Sequence, residues 1–171
     1  MGFEAYPFMS VAPNILSTEV FTAAVDALPL ISMDLCVTDT AGRILLGLRV
    51  NAPAQGFWFT PGGRIRKGEG QAAAFARLMA GELGLHDIAF ERAQLMGVWD
   101  HFYEDSAFSA SVSTHYVNLP FWIRLTVSEV EQVRAEDQHS EWKWIMHGAK
   151  DIPVHPYAQN YVDWIGRKLS A

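Results

Sequence analysis

The chain has 171 residues and a formal net charge of −6, with half of its residues apolar and 19% of them charged. A chain of this length suits one domain and buries a core without needing disulfide bonds. The negative charge argues against a nucleic-acid partner, since proteins that bind the phosphate backbone usually carry a basic stripe. A phosphorylated small molecule is compatible with it, because one metal ion and a few arginines reverse the charge locally.

Cysteine usage and hydropathy bear on the compartment. The single cysteine, Cys36, excludes an internal disulfide and indicates a reducing, hence cytoplasmic, setting. We expect Cys36 to be a small apolar residue buried in a strand. Residues 1–13 lack the basic start and apolar run of a signal peptide. No uninterrupted run of about 18 apolar residues is present, so we expect no membrane partner.

The N-terminal part of the chain is predicted to contain an arm, a helix and a hairpin. Residues 1–16 show no clear period and predict an irregular arm ahead of a single domain over residues 17–171. Apolar residues recur at helical spacing over residues 17–28, with Ser17 as the expected N-cap. The next two strands flank a polar turn and span residues 31–37 and 43–49.

The rest of the chain alternates between loops, strands and helices. Residues 51–70 contain eight Gly, Pro or Asn residues and predict a long functional loop. Residues 71–83 predict a helix that Gly84 ends. Strands are predicted over residues 96–103 and 115–125, with Pro120 at an edge position or a bulge. The last elements are a short helix over 128–133, a strand over 141–145 and a C-terminal helix that includes Tyr157, Tyr161 and Trp164. This order predicts a mixed α/β sandwich around one core.

The most informative segment spans residues 62–85 and contains a carboxylate in an unusual place. On a helical wheel, Glu82 lies in the middle of an apolar stripe. The stripe consists of Phe75, Leu78, Met79 and Leu83. A bare carboxylate there costs several kcal/mol of desolvation. Glu82 is therefore either a metal ligand or the partner of a buried arginine such as Arg64 or Arg66, and the spacing of the residues is compatible with both roles.

This segment resembles the Nudix box, whose pattern is Gly, five residues, Glu, seven residues and then Arg-Glu-apolar-any-Glu-Glu-any-Gly-apolar. The residues at the required spacings are Gly63, Glu69, Arg77, Met79, Glu82, Gly84 and Leu85. Glu69 and Arg77 are expected to form a structural pair that fixes the loop on the helix. The segment departs from the box at Leu78 and Gly81, where the pattern has Glu. The resemblance implies the α/β (α+β) class, with a Nudix-type α/β/α sandwich around a mixed central sheet.

The departures resemble one branch of that family, the GDP-mannose mannosyl hydrolases, in which the box is depleted in the same way. The similarity extends to residues 29–34, 51–59, 97–103, 114–117 and 137–139. It implies hydrolysis of a nucleotide sugar, GDP-mannose or alternatively GDP-glucose, to GDP and free sugar. The reaction would be a substitution at sugar C1 with inversion. The resemblance also implies one Mg²⁺ ion per active site, replaceable by Mn²⁺, and a homodimer.

The same resemblance implies how the metal and the attacking water are held. The metal ligands would be the backbone carbonyl of Gly62, Glu82 and Gln138. His139 would be the general base, in a polar loop over residues 136–141 that could close over the substrate. An unperturbed imidazole pKa of about 6.5 suits that role. From the residues alone, Gln138 is more often a solvated amide and His139 a surface histidine.

The resemblance further implies which side chains contact the substrate. Arg49 and Arg64 would face the diphosphate, because a guanidinium pairs well with phosphate oxygens. Asp34, His101 and Tyr116 would contact the sugar or the leaving group. From the residues alone, the two arginines are solvated, Asp34 is either functional or on a wet face of the sheet, and Tyr116 is more often a core residue.

Two other functions are compatible with the sequence. A Nudix pyrophosphohydrolase would cleave a P–O bond in another nucleotide sugar or in a nucleoside triphosphate. Such an enzyme collects several Mg²⁺ ions with the carboxylates that are missing at Leu78 and Gly81. A catalytically inactive Nudix domain would instead be a ligand sensor, and the joint retention of the expected site residues weighs against it.

Overall fold

The structure is a computed structural model and describes residues 16–107, 111–134 and 139–170. The predicted N-terminal arm lies outside the described residues, apart from Leu16. The helices are α1 (Thr18–Ala27), α2 (Gln71–Leu83), α3 (Val127–Gln132) and α4 (Pro156–Ser170), with a 3₁₀ turn at Phe90–Arg92. The strands are β1 (Leu30–Thr38), β2 (Ile44–Arg49), β3 (Trp58–Phe59), β4 (Gly62–Arg64), β5 (Gln94–Leu95), β6 (Trp99–Tyr103), β7 (Thr114–Arg124) and β8 (His139–Ile145).

The eight strands form one mixed sheet. Strand β1 lies inside the sheet, parallel to β7 on one side and antiparallel to β2 and β4 on the other. Strand β2 also pairs with β3 and β8, and β7 also pairs with β5 and β6. The predicted hairpin and the predicted mixed sheet are confirmed.

Two helices cover the two faces of the sheet, because side chains alternate along each strand. On one face the alternate β1 residues Met33, Leu35 and Val37 pack with the apolar stripe of α2. On the opposite face Cys36 packs with the buried side of α4, including Tyr161 and Ile165. The predicted α/β/α sandwich is therefore confirmed, and Cys36 is a buried strand residue as predicted.

The ends of the first two helices follow their local signals. The Ser17 hydroxyl accepts a hydrogen bond from the Val20 amide and caps α1. Gly84 ends α2 in the left-handed region at φ +66°, which glycine adopts without steric cost. No helix in the described ranges is long and apolar enough to cross a membrane.

Strand β7 runs through the interior of the sheet, so the predicted edge position of Pro120 is wrong. The Pro120 carbonyl accepts a hydrogen bond from the Met96 amide at 2.9 Å. The amide nitrogen and the carbonyl of a strand residue point to the same side. The nitrogen of Pro120 therefore points towards the gap between β5 and β6, where no strand residue is paired with it. The missing N–H of proline thus removes no hydrogen bond between strands.

Two predicted segments have different bounds in the structure. The loop predicted over residues 51–70 contains the short strands β3 and β4. The strand predicted over residues 96–103 begins only at Trp99, because Gly97 has a φ of +150° and interrupts it. The interruption separates β5 from β6, and both pair with β7.

Candidate active site

A cavity of about 180 Å³ is lined by residues of β1, β2, β4, β6 and β7. Pockets that enclose a whole ligand usually measure roughly 300–1,000 Å³, so this cavity is smaller than a pocket of that kind. Six residues selected from the sequence line it, namely Asp34, Arg49, Gly62, Arg64, His101 and Tyr116. Glu82 and His139 do not line it, and Gln138 lies outside the described residues.

Strand register explains why residues so distant in sequence meet here. Asp34 is the Cα partner of Gly62 in the β1–β4 pair. His101 is the Cα partner of Tyr116 in the β6–β7 pair. Side chains directly opposite each other share one face of a sheet. The sheet therefore presents the His101 and Tyr116 side chains together, beside the first residues of β1, where Leu30 is the Cα partner of Tyr116.

Asp34 is a buried carboxylate and does not lie on a wet face of the sheet. Only 7% of the surface of this residue is exposed to solvent. Its Oδ2 atom accepts hydrogen bonds from Asn118 Nδ2 at 2.5 Å and from the Tyr161 hydroxyl at 2.9 Å. Burial raises the pKa of Asp34 to about 6, although these two donors and the charge of Arg49 act in the opposite direction.

His101 is also buried, with 2% of its surface exposed. Its Nε2 lies 3.0 Å from the Tyr161 hydroxyl, and its Nδ1 lies 3.2 Å from Asn118 Nδ2. The ring stacks on Tyr157 with a centroid distance of 4.0 Å. Burial, followed by the nearby His155, lowers the pKa of His101 to about 4, so the imidazole is neutral near pH 7.

Two arginines reach the same cavity from different strands. Arg49 ends β2 and Arg64 ends β4, and both are partly buried. The Arg64 guanidinium lies 4.8 Å from the centre of the Phe21 ring. Burial raises the pKa of Tyr116, and the two arginine charges lower it in part. The cavity thus holds two fixed positive charges at its wall.

His139 begins strand β8, so the predicted polar loop is wrong from this residue onward. Only 6% of its surface is exposed, which excludes the surface histidine. Its ring lies against Gly47, where any side chain would collide with it, and 4.6 Å from the Trp142 ring. Neither ring nitrogen has a hydrogen-bond partner within the described ranges. Burial and then the charge of Arg49 lower the pKa of His139 to about 4.

Helix α2 presents one buried carboxylate. Glu82 is buried on the face that packs against the sheet. Leu78, one turn earlier, is part of the main core cluster, and Gly81 is exposed with open space where a side chain would begin. No cluster of three His, Cys, Asp or Glu side chains able to hold a metal occurs in the described part of the chain. A multi-metal cluster needs several oxygen ligands, and α2 offers one carboxylate.

The loop before α2 is tied down by the predicted structural pair. Arg77 donates to both carboxylate oxygens of Glu69, at 2.6 and 2.7 Å. Arg77 also donates to the Arg64 carbonyl at 3.0 Å, and Glu69 accepts from the Arg66 amide at 2.9 Å. The hydrogen bond from Arg77 is the main cause of the lowered pKa of Glu69. This pair holds the strand that carries Arg64 and Gly62 against the helix.

Several residues in or behind the cavity wall were not selected from the sequence. Asn118 and Tyr103 line it, and each lies two residues from a selected residue on the same strand. Period-two alternation would have identified them. Tyr161 lies on α4, and no local pattern indicates that its hydroxyl reaches Asp34.

The chain was then compared with known proteins. The family model described as NUDIX domain matches residues 29–165. The chain belongs to the Nudix family. The fold is accordingly a Nudix fold, and the chain belongs to a family of hydrolases that generally use divalent cations such as Mg²⁺ or Mn²⁺.

Individual Nudix relatives agree with this assignment. The Low-salt glycan biosynthesis protein Agl8 of Haloferax volcanii is 36% identical over 141 residues, covering 82% of this chain and 85% of that protein. The MutT NUDIX hydrolase structure from Burkholderia pseudomallei has a TM-score of 0.60 and 26% identity, covering 80% of this chain and 98% of that one. The fold is also shared by a bifunctional NMN adenylyltransferase/ADP ribose pyrophosphatase from Francisella tularensis, complexed with AMP and a manganese ion. That structure has a TM-score of 0.63 and 16% identity, and the match covers 88% of this chain and 44% of that one.

Proposed function

We propose that this Nudix protein hydrolyses GDP-mannose, or alternatively GDP-glucose, to GDP and free sugar by substitution at sugar C1 with inversion. The single observation that carries the proposal is the composition of α2, on which Leu78 is a core residue, Gly81 is exposed and only Glu82 offers a carboxylate. The likeness to a glycan biosynthesis protein supports a sugar-containing substrate.

The choice of C1 over phosphorus follows from the charges at the site. Attack on phosphorus in a Nudix site depends on water activated by several metal ions, which need more carboxylates than α2 has. Substitution at C1 needs a stabilised leaving group, a base and negative charge near the developing sugar cation. Arg49, Arg64 and the Asp34 carboxylate, which all line the cavity, fit these requirements.

The diphosphate leaving group would bind between the arginines. The planar guanidinium groups of Arg49 and Arg64 have the geometry for bidentate pairs with phosphate oxygens. A divalent cation, held by the Gly62 carbonyl, Glu82 and Gln138, would neutralise part of the diphosphate charge when bound. Close packing at Gly62 supports this placement, because a side chain there would collide with the Met33 carbonyl and the Asp34 carboxylate.

Two groups are candidates to accept the proton of the attacking water. His139 is neutral at pH 7 and makes no hydrogen bond within the described ranges that would occupy its ring nitrogens. Asp34 lines the cavity directly, and its raised pKa of about 6 suits a base near neutrality. We propose His139 as the base and Asp34 as the residue that stabilises the sugar cation. A bound diphosphate would offset the charge of Arg49, which is the smaller of the two causes that lower the pKa of His139 after burial.

A panel of nucleotide sugars tests this function. Each compound is incubated with the protein in the presence and absence of Mg²⁺, and the products are scored as free sugar or sugar phosphate. We expect free mannose and GDP from GDP-mannose, only with the metal. Sugar phosphate as the main product would establish the pyrophosphohydrolase instead. No turnover of any compound, together with binding, would establish the ligand sensor. The homodimer and the domain limits of residues 17–171 remain part of this proposal.

A further inference from the structure

Asn118 and Tyr161 connect Asp34 and His101 in one buried hydrogen-bond network. Asn118 and Tyr161 are 1% and 0% exposed, more deeply buried than the carboxylate they contact. Each lies within hydrogen-bond distance of both Asp34 Oδ2 and a ring nitrogen of His101. Asn118 Nδ2 and the Tyr161 hydroxyl are themselves 3.1 Å apart. The four side chains therefore hold one another's orientation.

One arrangement of protons satisfies the close contacts. Asn118 Nδ2 is a donor only, and its two hydrogens have three acceptors within reach, namely Asp34 Oδ2, the Tyr161 hydroxyl and His101 Nδ1. Because the single Tyr161 proton is donated to Asp34 Oδ2, neutral His101 carries its proton on Nε2 and donates it to the Tyr161 oxygen. The Tyr161 hydroxyl in turn donates to Asp34 Oδ2. The carboxylate receives two donors on one oxygen, and the histidine is fixed in its Nε2–H tautomer.

The other carboxylate oxygen faces the opposite direction. A side chain at Gly62 would lie 2.7 Å from Asp34 Oδ1, which places that oxygen beside the β4 backbone at the cavity. Both donors act on Oδ2. Rotation of the carboxylate would break both hydrogen bonds, so they fix the direction in which Oδ1 is presented.

We propose that Asn118 and Tyr161 are positioning residues, which hold the Asp34 carboxylate and the His101 ring in one fixed orientation at the cavity wall. Their effect on turnover rests on the proposed function, whereas their effect on His101 does not. Because they act through Asp34, their loss impairs the transition state for C1 substitution more than it impairs binding of the nucleotide, which the arginines hold.

The chain offers a matched control four residues further along the same two strands. Trp122 Nε1 donates to the Thr38 hydroxyl at 3.0 Å, just as Asn118 donates to Asp34. Both hydrogen bonds join β7 to β1 and are internal to the fold. Thr38→Val removes the acceptor of the control bond at nearly constant volume and touches no residue of the cavity lining.

The kinetic test compares Tyr161→Phe and Asn118→Val with Thr38→Val, each also made in an Asp34→Asn background. Loss of one hydrogen bond to a charged group corresponds to about ten- to a hundredfold. We expect Tyr161→Phe to lower kcat by that factor and to change KM by less than about threefold. In the Asp34→Asn background the same change should have a much smaller effect, since only the contact of Tyr161 with His101 is then left to lose. Multiplicative losses, or an equal kcat loss in Thr38→Val, would overturn the proposal.

A substrate-free measurement separates this proposal from the proposed function. Nitrogen-15 NMR of the histidine side chains reports the tautomer of each ring. We expect His101 as the Nε2–H tautomer in the unaltered protein and in Thr38→Val, with an altered Nδ1 resonance in Asn118→Val and an altered Nε2 resonance in Tyr161→Phe. Resonances unchanged in both variants would contradict the network, whether or not GDP-mannose is hydrolysed.

Discussion

Arg49 and His139 face each other across the β2–β8 strand pair, and the charge of Arg49 adds to burial in lowering the pKa of His139 to about 4. The pairing includes a register shift between Gly47 and Arg49. The His139 ring occupies the space that a side chain at Gly47 would fill. The structure thus links the proposed base to an arginine that lines the cavity.

The first prediction concerns His139→Gln. As the general base, His139 should contribute roughly 10²- to 10⁴-fold to kcat. The acidic limb of kcat/KM should contain a step near pH 4 from His139 and a step near pH 6 from the Asp34 carboxylate, and only the step near pH 4 should be absent in the variant. His86→Gln, at an exposed histidine, is the control. A variant that retains the step near pH 4 would contradict His139 as the base.

The second prediction concerns metal dependence. Activity should require Mg²⁺ or Mn²⁺, and a chelator should abolish it, because Glu82 on α2 is the proposed ligand. Glu82→Gln should lose most activity at limiting metal and recover part of it at high metal, while the protein stays folded. Glu91→Gln, at an exposed position, should behave like the unaltered protein. The metal assignment fails if Glu82→Gln is fully active at limiting metal.

The third prediction concerns the two positions at which the box lacks its carboxylates. Leu78→Glu should lower the free energy of unfolding by about 3 kcal/mol or more, since it buries a charge in the core. Gly81→Glu should leave the free energy of unfolding unchanged or raise it by up to about 1 kcal/mol, because the site is exposed and glycine is a poor helix residue. Chemical denaturation of both variants measures the contrast, and equal destabilisation would refute this reading of α2.

The fourth prediction concerns stability against pH. The pKa of His101 is about 4 in the folded protein, below the ordinary imidazole pKa of about 6.5, so the unfolded chain binds the proton more tightly. Its contribution to stability is therefore complete above pH 6.5 and is lost as the pH falls towards 4. Asp34, whose pKa is raised to about 6, acts in the opposite direction in the same window. Melting temperatures of His101→Gln should depend less steeply on pH between 6.5 and 4 than those of His86→Gln. An equal slope would contradict the buried neutral imidazole.

Local signals predicted the parts of the fold that local forces determine. The helix over residues 71–83, its end at Gly84 and the first hairpin all follow from period, capping and turn chemistry. Contacts between distant segments were not predictable in this way. The partners of Asp34 lie 84 and 127 residues away in the chain, at Asn118 and Tyr161. A local pattern has no information about which helix face meets which strand.

The mistaken predictions have the same origin. His139 belongs to a strand because β8 pairs with β2, an interaction that outweighs the polar composition around it. The site residues themselves were selected through resemblance, and the structure brings six of them to one cavity.

The bond that breaks is the central claim, and oxygen-18 water tests it most directly. GDP-mannose is hydrolysed in labelled water with Mg²⁺, and both products are analysed by mass spectrometry, with proton NMR at early times. Attack at C1 places the label in mannose, leaves GDP unlabelled and gives the β anomer first, because the configuration is inverted. Label in a phosphate group, or mannose 1-phosphate as a product, would show attack on phosphorus and contradict the account.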